Sequence, residues 1–147
     1  MKGMNRGFTI IELLMVVAII GIVAAIAISV LSDSRGKGVN AGIKSNMRTI
    51  TQQAELFYLN NANTYGSAFS LANCAQTAGT LFADPTIWKA LQETERRAGV
   101  TPTCVSTVAA WAVAEPLKAP EGTATYWCID SQGNAKGISQ NITTTSC

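Results

Sequence analysis

From Phe8 to Leu31 the chain runs for 24 residues with Glu12 as its only charged side chain. At about 1.5 Å per residue a helix of that length is roughly 36 Å long, enough to cross a bilayer core of about 30 Å with some tilt. A carboxylate inside hydrocarbon costs on the order of 2.5 kcal/mol or more and persists only where something pairs with it or neutralises it. If the chain is cut between Gly7 and Phe8, the new α-amino group of Phe8 lies four residues before Glu12, on the same face of a helix. Cation and carboxylate can then neutralise each other, within one chain or between staggered chains. Leu14, Ala18, Gly21 and Ala25 follow at spacings of 4, 3 and 4, so three small residues form a stripe roughly opposite Glu12. Such stripes let helix backbones approach closely in membranes. One face asks for a charge partner and the other for a helix partner, which predicts a helix that ends surrounded by protein.

At these residues the chain resembles a type IV prepilin. A short basic leader, Met1-Lys2-Gly3-Met4-Asn5-Arg6-Gly7, ends in glycine, Phe8 follows, and Glu12 is the fifth residue of the mature chain that cleavage would leave. The similarity is close from about Arg6 to Leu31 and extends beyond only as a general plan. It implies that a membrane-embedded prepilin peptidase cuts after Gly7 and methylates Phe8, and that Glu12 aligns incoming subunits with those already in a filament. Many members have a proline where this chain has Ser29. The competing interpretation is a secretory signal peptide, with Lys2 and Arg6 as its basic region and Ala25-Ile26-Ala27 as its cleavage site. A carboxylate in the apolar region and the continuation through Ile28 to Leu31 oppose it.

At 147 residues there is room for one modest domain beside the membrane segment. The net charge of +2 comes from the leader: eleven basic side chains less Lys2 and Arg6 leave nine against nine acidic ones. Nucleic-acid binding therefore gains no support from composition. Four cysteines, Cys74, Cys104, Cys128 and Cys147, all follow the membrane segment. They imply two disulfides in an oxidising compartment; with no histidine and no ligand spacing, no metal or other cofactor is expected. Since the basic residues flank the apolar run on both sides, the cysteines decide the orientation and place the distal part outside the cytoplasm.

Residues 32–42 carry Gly36, Gly38 and Gly42 and read as a water-exposed passage of low helix propensity; Gly36-Lys37 lacks the rest of a phosphate loop. Val39, Ile43, Met47, Ile50, Ala54 and Phe57 then mark an amphipathic helix to about Asn60. By the resemblance this continues the membrane helix into one spine, softened at the three glycines. The basic residues 35–48 read as a solvated face or as subunit contacts. Asn60 to Gly66 is rich in turn formers and opens a loop through Cys74 to Phe82. Asp84-Pro85 starts a short helix that Gly99 stops, with Glu93, Glu95, Arg96 and Arg97 as local ion pairs. Thr103–Ala114, Thr123–Asp130 and Gly137–Thr143 read as strands, with a turn at Ser131-Gln132-Gly133-Asn134. Trp111 and Trp127 read as core, and Asn141-Ile142-Thr143 matches a short, commonplace glycosylation sequon.

The expected fold is α+β: a long N-terminal helix, membrane-spanning at first and amphipathic later, packed on an antiparallel sheet of three or four strands. Its divisions are a leader 1–7, a spine 8–60 with 8–31 as the membrane and assembly part, and a head 61–147. Local disulfides, Cys74 with Cys104 and Cys128 with Cys147, would staple the two irregular regions separately, although four cysteines allow three connectivities. The second bridge also matches the family's habit of closing a C-terminal loop. Nothing in the sequence assembles a catalytic constellation, so an enzyme is not expected. The resemblance implies a homopolymeric surface fibre for adhesion, twitching motility or DNA uptake, drawn from the inner membrane by the pilus assembly machinery. The alternatives are a pseudopilin or minor pilin, and a membrane-anchored binding module that never polymerises. Against a pseudopilin stands the scarcity of acids late in the chain, where Asp130 is the only one after Glu121, too few for a calcium loop.

Overall fold

A computed structural model describes residues 7–71 and 74–147. Helix α1 spans Ile10–Asn60, strand β1 Phe69–Leu71, helix α2 Pro85–Ala98, and strands β2 to β5 Thr103–Ser106, Trp111–Glu121, Ala124–Asp130 and Ala135–Ile138. A single 3-10 turn, Leu81–Ala83, leads into α2. The chain divides into two compact units, Met1–Arg35 and Gly36–Cys147, and α1 contributes to both.

The first unit is the apolar part of α1. Its segment Ile10–Ile28 has a mean hydropathy of 2.9 and none of it is buried, so it is long and apolar enough to cross a membrane. Ser29 lies within the helix.

In the second unit Ile43, Met47, Ile50 and Ala54 of α1 are fully buried. Their spacings of 4, 3 and 4 put them on one stripe, and that stripe packs in one core with Ile87 and Leu91 of α2 and Trp111, Val113 and Ile129 of the sheet. The passage at 32–42 is helical, contrary to its composition. Tertiary contact outweighs propensity there. Asn40 is fully buried: its Nδ2 donates to Ala119 O (2.7 Å), and its Oδ1 accepts from Lys118 N (2.8 Å). This amide substitutes for ladder partners where the β3–β4 register shifts between Pro116 and Glu121. Gly36 is there for proximity, since a Cβ on it would lie 2.7 Å from Ala119 Cβ.

The sheet is an antiparallel meander in the order β1-β2-β3-β4-β5. It has five strands because the loop after Gly66 contributes β1 and because Thr103–Ala114, expected as one strand, is a hairpin. The turn between β2 and β3 contains no Gly, Pro or Asn; Thr107 forms it by donating its N–H to Ala110 O (2.7 Å) and accepting Ala110 N–H on its hydroxyl (3.0 Å). Gly137–Thr143 is a strand only to Ile138.

Helix α2 begins and ends where its sequence signals lie. Asp84 Oδ1 accepts from Thr86 N (2.8 Å) and Ile87 N (3.1 Å), Pro85 occupies the first position, and Gly99 adopts φ 79°, the left-handed conformation that closes helices. Two disulfides, Cys74–Cys104 and Cys128–Cys147, tie the loop before α2 to β2 and the C-terminal loop to β4.

Candidate functional site

The site starts at the entry to α1. Gly7, Phe8 and Thr9 precede the helix, and Thr9 O accepts the first helical bond from Leu13 N (3.3 Å), which makes Thr9 the N-cap. Glu12 is the third helical residue. Its Oε2 accepts from Thr9 N (3.0 Å) and from Thr9 Oγ1 (2.8 Å), and Glu12 N donates back to the Thr9 hydroxyl (3.3 Å). This is a capping box, the reciprocal pairing of Thr-x-x-Glu that satisfies otherwise orphaned N–H groups at a helix start. Phe8 lies outside the helix, and in the uncleaved chain, where it has no free amine, the carboxylate bonds to Thr9. The signal was legible, because Thr9-Ile10-Ile11-Glu12 is a capping-box pattern in front of an apolar run.

The remaining parts of the site are bare. Phe8 is 83 % exposed, and Ala18, Gly21 and Ala25 are exposed along the helix. A Cβ on Gly7 or Gly21 would meet nothing within 4 Å, and neither glycine has a positive φ. The fold of one chain thus gives no reason for glycine at either position. Residues 1–6, with the leader's Lys2 and Arg6, lie outside the described residues.

In the head, the residues considered for partner binding have structural tasks. Lys44, expected on a solvated face or a subunit contact, pairs with Glu121 (2.5 Å) and sits 4.2 Å from the centroid of the Trp127 ring. Glu93 pairs locally with Arg96 (2.6 Å) and Arg97 (2.9 Å). Asp130 is fully buried and holds the end of the molecule together: Oδ1 accepts from Gln132 N and Asn134 N, both at 3.0 Å, and Oδ2 from Asn134 Nδ2 (2.8 Å) and Cys147 N (2.9 Å). Burial alone would raise its carboxyl, but these four N–H donors outweigh it and hold the group below the usual carboxylate range. The Asn141 amide of the sequon donates to Thr103 Oγ1 (2.8 Å). Sequence reasoning missed the roles of Thr9, Asn40 and Glu115; the last is a buried acid on β3, treated below.

An apolar, exposed helix with one capped carboxylate in its first turn defines a class of chain. Residues 2–28 match the family described as the prokaryotic N-terminal methylation motif. The chain is also similar to the type IV major pilin protein PilA of Myxococcus xanthus (strain DK1622), at 43 % identity over 70 residues, covering 44 % of this chain and 32 % of that protein. The chain thus resembles a type IV pilin, and it spans about a third of the length of the curated relative it matches. No solved structure matches.

Proposed function

We propose that the chain is a type IV pilin, cut after Gly7, methylated at Phe8, and polymerised through its N-terminal helix into a surface fibre of which it is the major subunit. One observation carries this reading: Ile10–Ile28 is wholly exposed in a single chain, yet it holds a carboxylate and a stripe of small residues. A passive lipid anchor needs neither. Prepilin peptidase is the partner that Gly7 suits, because its lack of a side chain serves no purpose within the fold. The helices would bundle in the fibre core and displace the lipid around them, with the head domains as the fibre surface. The inner membrane holds the subunit before the assembly machinery extracts it, and the fibre then serves adhesion, twitching motility or DNA uptake. Mass spectrometry of the mature protein tests processing: the expected chain begins at methylated Phe8, and one beginning at Ile28 would establish a signal peptide instead. Electron microscopy of cells with and without the gene tests the role, since fibres at full abundance in its absence exclude the major subunit and leave a minor pilin or pseudopilin.

A further inference from the structure

Beneath α2 lies a carboxyl group to which pilus assembly gives no task. Glu115 of β3 is fully buried, next to the equally buried Val113 and Ala114, and neither of its carboxylate oxygens has a hydrogen-bond partner. The Thr94 hydroxyl of α2 stands beside it but already donates to Leu91 O (2.8 Å). While it bonds Leu91 O the hydroxyl can accept from a protonated Glu115, and by turning it can donate to an ionised one, which makes it the one neighbour that favours ionisation. The surrounding charges do not favour ionisation. Glu95 of α2 is the charged group that acts on it, and it repels. Of the other charged residues of α2, Arg96 and Arg97 are held by Glu93, and Lys89 is exposed to solvent. Across the ladder on β4 stands Trp127, over whose ring lies Lys44 of α1, held by Glu121. Lys118 of β3 donates to Ala98 O. No ion pair reaches Glu115 among the described residues.

We propose that Glu115 makes the docking of α2 on the sheet a proton-sensitive contact, tight while the carboxyl is protonated and progressively looser as protons are withdrawn. The device belongs to the head and does not depend on the chain polymerising. Burial outweighs the opposing Thr94 hydroxyl and, with repulsion from Glu95 added, pushes the group up to about 8. An exposed glutamate titrates near ~4.3. When α2 is docked, Glu115 keeps its proton through a range in which the undocked chain has lost it. Docking therefore weakens about tenfold per pH unit from roughly pH 5 to roughly pH 8, and levels off above, where both states are ionised.

The test is amide hydrogen exchange of the full chain in detergent micelles between about pH 5 and about pH 9, corrected for the intrinsic pH dependence of exchange, with α1 residues 43–54 as internal reference. Protection of α2 should fall relative to the reference by about tenfold per unit up to roughly pH 8 and then hold, and Glu115→Gln should abolish the slope. Constant relative protection in the wild type, or the same slope in Glu115→Gln, overturns the proposal. If Glu115→Gln does not fold, carbon NMR of the wild-type Glu115 carboxyl decides: a midpoint near about 8 supports the contact, and one near ~4.3 refutes it.

Discussion

Glu12 has two kinds of partner open to it, and they can be separated. In the single chain its carboxylate completes a cap with Thr9; in the proposed fibre it neutralises a Phe8 amine. Glutamine serves in a capping box as well as glutamate does, but it carries no charge. Glu12→Gln and Glu12→Ala are both expected to insert in the membrane and to be cleaved, and both should lose most fibre, as counted by microscopy and sheared-fibre yield. Wild-type fibre from Glu12→Gln with loss in Glu12→Ala would show that the cap matters and the charge does not. The Asp130 carboxylate accepts on both of its oxygens. In Asp130→Ala the N–H groups of Gln132, Asn134 and Cys147 lose an ionised acceptor, at a cost of about 1.5 to 3 kcal/mol. Its folded titration point lies below the unfolded one, so the stability it contributes is present above the unfolded value of ~3.9 and is lost as the pH falls through the folded value. Urea unfolding should therefore separate wild type from Asp130→Ala clearly near neutral pH and less at about pH 3.

The glycines of α1 differ in what surrounds them, which makes the spine helix testable at single positions. A Cβ at Gly36 would press on Ala119, whose own Cβ cannot swing away, whereas one at Gly38 meets nothing. Gly38→Ala should stabilise by up to about 1 kcal/mol through helix propensity, and Gly36→Ala should be neutral or destabilising because overpacking offsets the same gain. Equal gains in urea midpoint at both positions would mean that α1 and the Ala119 strand are not in close contact. The same comparison explains what could be read from the sequence. Helix α2 was legible at both ends because Asp84, Pro85 and Gly99 act on the backbone next to them. The buried stripe of α1 was legible because four side chains share one period. Residues 32–42 were not, since their helicity depends on Asn40 meeting Lys118 and Ala119 some 79 residues away. The β2–β3 turn escaped because Thr107 takes the place of the usual turn residues. At the site, Glu12 is conspicuous as a lone acid, and the cap it forms with Thr9 three residues back is a local pattern of the uncleaved chain. Glu115 looked ordinary, because nothing in the strand pattern says that a helix will cover it.

As a whole molecule, the head is small enough for its cross-links to matter. The Cys128–Cys147 bridge spans 19 residues and Cys74–Cys104 spans 30, and each restrains the unfolded chain by roughly 3 kcal/mol in the entropic account. Replacing either pair by serine should cost about that much in urea unfolding, with added hydrogen exchange confined to residues 139–147 in the first case and to the loop before α2 in the second. Non-reducing peptide maps of the native protein should show these two links, and a peptide joining Cys104 to Cys128 would refute the arrangement. The meander order bears on how the molecule comes to be made. From β2 to β5 each strand pairs with the next across a short turn, which favours fast formation of that part of the sheet, whereas β1 joins β2 across α2. The buried stripe of α1 is different: it is complete at Ala54, while the strand bearing Trp111, its largest covering side chain, begins 57 residues later. During synthesis that stripe waits uncovered, next to a helical segment long and apolar enough to cross a membrane. The vulnerable moment for this chain is thus the interval between the making of its helix and the arrival of β3, when helix-to-helix aggregation competes with folding.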